Sequence, residues 1–300
     1  MPRVIDCECN LPFGEESPDY SNAQHGRPGN AVPDRLERPE GYGFDNYNGI
    51  FRGRAERAPA EDVPQGSRMK KFLAEMDSAG VEVGIVGASN KTLSRICQAH
   101  PDRFVGLAAM SPLDGMRGVR EFERLVREEG IGGLRVVALY NMIPASDRRY
   151  YTLYAKCVEL DVPVRVYTSM NYANDRPYDL GHPRHLDDVA IDFPELRIVA
   201  GLAGWPWVND MIGLLRRHPN LYCDTAAHRP RHFATPGSGW EPFLQFGNTL
   251  LQDKIMVGLS RGIFKVPFEQ LIGEYQELPL KDTVIEKWLH GNAARFFRRA

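Results

Sequence analysis

Eight short apolar runs recur along the 300 residues, near 3–9, 82–87, 104–109, 132–138, 162–168, 196–201, 220–225 and 254–259. Longer segments of helical period separate them. A strand followed by a helix, repeated eight times, demands a parallel sheet covered by helices, and a single (β/α)8 barrel satisfies that demand in one domain. A chain of this length is ordinary for such a barrel. Several helices show their ends in the sequence. Ser67 opens one whose Met69, Phe72, Leu73 and Met76 share a face, and Gly80 closes it. Ser146 precedes another that carries Tyr151, Leu153, Tyr154, Cys157 and Leu160. Met211, Leu214 and Leu215 mark a third, and Glu269–Glu277 and Val284–Phe297 supply the last two.

Residues 13–66 break the pattern. They are rich in Pro, Gly, Asn, Asp and Arg with no sustained period, and are expected to form an excursion after strand 1 that covers the barrel mouth. Tyr20, Tyr42, Phe44, Tyr47 and Phe51 favour partial order there over a disordered insert.

Composition excludes several function classes. Basic and acidic side chains number 37 and 39, a net charge of -2, which favours neither nucleic acid nor an anionic membrane as partner. Five scattered cysteines form no Cys-x-x-Cys pair and no disulfide framework, and fit a reducing cytoplasm. The opening Met-Pro-Arg-Val-Ile-Asp lacks a signal-peptide apolar region, and no apolar run reaches the roughly 18 residues needed to cross a bilayer. A soluble, cytoplasmic protein is expected.

Several local motifs carry a family resemblance. Val4-Ile5-Asp6-Cys7-Glu8-Cys9-Asn10-Leu11-Pro12 lies where the amidohydrolase-2 family opens with an Ile-Asp-x-His-x-His strand. His100-Pro101-Asp102-Arg103-Phe104, Gly133-Leu134-Arg135, Glu159-Leu160-Asp161-Val162-Pro163-Val164, the segment from Phe193 to Trp207 and Gly291-Asn292-Ala293-Ala294-Arg295-Phe296-Phe297 follow in the family's order. The chain resembles that family, which includes metal-dependent decarboxylases, over almost its whole length. The resemblance implies a barrel with its site at the C-terminal ends of the strands, and a dimer is common in such proteins.

The metal-binding positions of the family do not carry over. The strand-1 histidines fall on Glu8 and Asn10, the strand-5 histidine on Tyr167, the strand-6 histidine on Leu202, and the strand-8 aspartate on Ser260. A transition-metal site needs about three or four imidazole, thiolate or carboxylate ligands, and Glu8 alone qualifies. No metal and no other cofactor is expected. The pairs His228/His232 and His182/His185 have suggestive spacings, but Pro230 and Pro183 interrupt them, so they read as loop residues. Cys7 and Cys9 have the opposite parity to Glu8 and are expected to face the surrounding helices.

Glu8, Tyr167 and His228 are the candidate catalytic groups, as acid or base, phenolic donor and mouth imidazole. Asn10, Arg135, Arg165, Trp205, Ser260 and Arg261 are candidate substrate-binding residues. Arg165 reads either as an interior plug paired with Glu8 or, like Arg135, as a grip on a substrate carboxylate. Two functions remain open: a metal-independent enzyme acting on a small organic acid, lactone or aromatic carboxylate by hydrolysis or decarboxylation, and a catalytically inactive barrel that binds a small ligand or partner protein.

Overall fold

In the computed structural model the described residues are 2–12 and 65–299. The expected mouth-covering excursion at 13–66 falls almost wholly outside them. The first helix, α1 (Gln65–Ala79), begins two residues ahead of Ser67, and Gly80 follows it at φ +76°.

Eight parallel strands lie side by side in chain order: β1 (Val4–Asp6), β2 (Val81–Val86), β3 (Phe104–Ala109), β4 (Gly133–Val136), β5 (Val164–Tyr167), β6 (Ile198–Gly201), β7 (Leu221–Asp224) and β8 (Ile255–Met256). The seam between β8 and β1 is bridged where the Cys7 N–H donates to the Val257 carbonyl at 2.9 Å. This is the (β/α)8, or TIM, barrel. All eight expected runs become strands: β3 at its expected bounds, β2 one residue earlier, and the others trimmed at their ends.

Helices α2 (Asn90–Ala99), α3 (Gly115–Glu129), α4 (Ala138–Asn141), α5 (Tyr151–Glu159), α6 (Arg184–Asp192), α7 (Val208–Arg217), α8 (Glu241–Gly247), α9 (Arg261–Phe264), α10 (Phe268–Gln276), α11 (Asp282–Glu286) and α12 (Asn292–Phe297) complete the described set. The α5 region differs in its cap. A short 3-10 turn at Arg148–Tyr150 precedes the helix, and Asp147, not Ser146, caps it by accepting from the Arg149 N–H at 2.9 Å. The carboxylate is the stronger acceptor for an unsatisfied helical N–H, and the Ser146 hydroxyl pairs instead with His185 Nδ1 at 3.1 Å.

Two apolar layers result from strand alternation. Leu134, Val136, Val164, Val166, Ile198, Ala200, Leu221 and Cys223 face the helices, in one large cluster with residues such as Phe122, Leu153 and Met211. Ile5, Val83, Ile85, Val105, Leu107, Val199 and Met256 form a separate cluster inside the barrel, joined by Phe296 from the closing helix α12. On β4 to β7, alternation therefore leaves Arg135, Arg165, Tyr167, Gly201 and Asp224 with the inward parity.

Candidate active site

Strand β1 delivers its residues by a different device. It ends at Asp6, and the next two residues turn. Asp6 Oδ1 accepts the Glu8 N–H at 3.0 Å, closing an Asx-turn, and also accepts the Leu259 N–H at 2.7 Å from beyond β8. Ile5 and Cys7 keep the two-residue period and join the interior cluster, and the turn then breaks that period, so that Cys9 joins the outer one. The expectation that both cysteines face the helices is met by Cys9 and corrected for Cys7.

Glu8 arrives next to two guanidinium groups. Its Oε2 lies 2.6 Å from Arg165 Nη1, and its Oε1 lies 3.9 Å from Arg135 Nη2. Arg165 is 3% exposed and also grips Asp224, Nε to Oδ2 at 2.6 Å and Nη2 to Oδ1 at 3.1 Å. Gly201 makes this reach feasible: a Cβ there would fall 2.8 Å from Arg165 Nη2 and 2.9 Å from Cζ. A Cβ at Gly87 would likewise collide with the guanidinium of Arg135.

Asp224, fully buried, was not singled out by motif. Besides Arg165, its Oδ1 accepts the N–H groups of Leu202 at 3.1 Å and Ala226 at 3.0 Å. Leu202 and Ala203 both sit at positive φ, +67° and +50°, so this carboxylate fastens a strained turn at the end of β6. Asp6 is also fully buried, and its Oδ2 has no hydrogen-bond partner among the described residues. Burial pushes its carboxyl up to about 7 against the pull of its two backbone donors, with the charges of Glu8 and Asp224 adding to the rise.

His228 lies in the turn after β7. Burial pulls its imidazole down to about 4 despite a backbone hydrogen bond with Leu202. Its Nε2 is buried without a hydrogen-bond partner among the described residues. The ring sits between Trp205 and Trp240, with centroids 5.8 and 5.0 Å away. Tyr172 stacks on Trp205 at 6.4 Å and 8°, and Phe233 on Trp240 at 4.5 Å, so the imidazole is one member of an aromatic wall.

The remaining candidates are engaged elsewhere. Asn10 Oδ1 accepts the Gly262 N–H at 2.9 Å, at the start of α9. Ser260 is buried at φ +49°, and its Oγ accepts the N–H of Ala227, itself at +58°, at 2.8 Å. Arg261 pairs with Glu75 of α1 at 2.7 Å and lies over the rings of Phe72 and Phe268, on the helical side of the barrel. Tyr167 is half-buried at the end of β5.

Against this geometry, the amidohydrolase family model (amidohydrolase-2) matches residues 5–299. The chain belongs to that family. This amidohydrolase-family barrel is similar to a 2-keto-4-carboxy-3-hexenedioate hydratase of Sphingobium sp. (strain NBRC 103272 / SYK-6), 24% identical over 271 residues that span 79% of this chain and 77% of the relative. Its fold matches an uncharacterized TIM-barrel protein of Bordetella bronchiseptica with a TM-score of 0.71 and 25% identity, over 99% and 98% of the two chains. It also matches 5-carboxyvanillate decarboxylase from Sphingomonas paucimobilis with a TM-score of 0.65 and 18% identity, over 99% of each.

The family's metal finds no fitting set of donors at the aligned positions. Glu8 faces two guanidinium groups, the side-chain oxygens of Asn10 and Ser260 receive backbone N–H bonds, and Leu202 has no donor atom. Among the described residues, no three His, Cys, Asp or Glu side chains are grouped to hold a metal ion, and no helix is long and apolar enough to cross a membrane.

Proposed function

We propose that this barrel is an enzyme that works on a small planar carboxylate by acid/base chemistry without a divalent metal. The observation that carries the reading is His228. At neutral pH its imidazole is uncharged, and its backbone hydrogen bond with Leu202 engages the other ring nitrogen, so the buried Nε2 keeps a lone pair for a substrate proton. The rings of Tyr172, Trp205 and Trp240 beside it suit a flat unsaturated or aromatic acid. Arg135, inward on β4 beside Glu8, is the group assigned to the substrate carboxylate. The Tyr167 phenol on β5 is assigned to the oxygen on which negative charge develops.

Decarboxylation, hydration and hydrolysis of such acids share one need: a proton moved beside an anchored carboxylate. The likeness to a hydratase and a decarboxylase supports this substrate class over amides. An inactive ligand-binding barrel is the second reading, favoured by the completed pairing of Arg165 with Glu8 and Asp224.

A panel of aromatic and unsaturated dicarboxylic acids, including 5-carboxyvanillate, separates the two. The enzyme reading expects turnover of at least one member that survives dialysis against a chelator and is lost in His228→Gln. Binding of panel members with no turnover would establish the second reading, and activity that a chelator removes would end the metal-free one.

A further inference from the structure

The barrel interior gathers charge from strands that are not neighbours. Glu8 follows β1, Arg165 lies on β5 and Asp224 ends β7. One guanidinium meets both carboxylates through three of its nitrogens, at 2.6, 2.6 and 3.1 Å, and is 3% exposed while Asp224 is 0% exposed. The ring of strands is thus crossed from three sides by one group.

We infer that the Arg165 guanidinium is the resident cation of this barrel, a covalently attached replacement for a divalent ion that organises the mouth. Three features single out Arg165 for this role over a simple filler. Its partners are two carboxylates held by separate strands, β1 and β7, with β1 across the ring from the β5 that carries the guanidinium. Asp224 passes the constraint on, because the oxygen that faces Nη2 also holds the Leu202 N–H and so fixes the positive-φ turn leading to Trp205. Gly201 lacks the Cβ that would displace the guanidinium. Arg165 is therefore a positioning residue: it sets where Glu8 stands and how the β6 turn closes. A planar fork matches two carboxylates where a spherical ion would need four or more donors. The role stands whether or not the barrel turns over a substrate.

Chemical rescue tests it in the full chain. Arg165→Ala removes the cation and leaves its two partner carboxylates facing each other in a dry interior. Its melting temperature is expected to fall by about 10 °C. Guanidinium chloride at about 20 mM, far below denaturing concentrations, should restore a saturable part of the loss, whereas urea of the same shape and no charge should restore none. The native protein should gain nothing from either. A variant that melts like the native protein, or that responds to guanidinium no better than to urea or sodium chloride, overturns the inference. Should Arg165→Ala fail to fold, 15N-arginine NMR of the native protein decides. A cation locked on two carboxylates gives separate, slowly exchanging Nη protons for Arg165, and a single averaged, fast-exchanging signal rejects it. Arg165→Lys, which keeps charge but not the fork, is expected to lose most of that order and to recover only part of the stability.

Discussion

The floor and the mouth of this barrel both rest on basic side chains, in different surroundings. At the floor, near solvent, cations serve backbone carbonyls and exposed carboxylates, as Arg3 does Glu82 and Arg103 does Asp77. Arg103 donates to the carbonyls of Glu82 and Val81, Arg299 to that of Pro101, and Lys254 to those of His218, Pro219 and Leu221. At the mouth, Arg135 and Arg165 face carboxylates in the interior. A carbonyl that loses a cation near the surface can turn to water. A carboxylate in a dry barrel has no such substitute, so one residue type carries modest stability at one end and the organisation of the site at the other.

The contrast can be broken experimentally, starting where the effect should be greatest. Asp224→Ala strips Arg165 of its bidentate partner and releases the β6 turn. A loss of about 3–5 kcal/mol in denaturant titrations is expected, and a loss below about 1 kcal/mol would put the mouth on the same footing as the floor. His228→Gln should keep the fold and lower kcat on an identified substrate by about a hundredfold or more. The native rate should hold at neutral pH and fall as pH drops toward about 4, where the imidazole gains its proton. The same group makes native stability decline as pH falls from its ordinary 6.5 through about 4, since the unfolded chain binds that proton first, and the variant should lack this component.

Asp6→Asn sharpens the comparison from the carboxylate side. The native carboxyl is raised from 3.8 to about 7, so its stabilising share is complete below about 3.8 and is lost as pH climbs to about 7. With Oδ1 retained as acceptor for Glu8 and Leu259, the melting-temperature difference should shift in favour of the variant across that window; a difference independent of pH would show that Asp6 does not titrate there. The smallest effect belongs to the floor. Arg3→Met removes an exposed pair with Glu82 and should leave the melting temperature almost unchanged, with any difference erased by added salt.

How far the sequence could be read depended on local regularity. All eight strands were legible, because a buried parallel strand leaves a short apolar run. Inward residues were legible on β4 to β7, where alternation is unbroken, so Arg135, Arg165 and Tyr167 were expected at their places. On β1 the alternation runs only from Ile5 to Cys7, and the Asx-turn at Asp6 then breaks it, bringing Glu8 to the interior Arg165 and turning Cys9 outward. Asp224 matches none of the family's metal-ligand positions, so the resemblance does not point to it. The signal was present nonetheless: two inward arginines against one Glu8 leave a positive charge unmatched, and Asp224 has the parity to balance it. Arg261 shows the limit of adjacency, since a side chain next to Ser260 in sequence turns to Glu75 on the opposite face of the strand layer.

Gly201 bears on how this barrel could change over generations. Any larger residue there evicts the guanidinium before a new partner for Glu8 and Asp224 exists, and any metal ligand placed at position 202 would face a cation already in residence. Substitutions at 165, 201 and 202 are therefore strongly coupled. A metal ligand placed at these positions would have to follow the departure of Arg165, a step that leaves Glu8 and Asp224 without their shared partner.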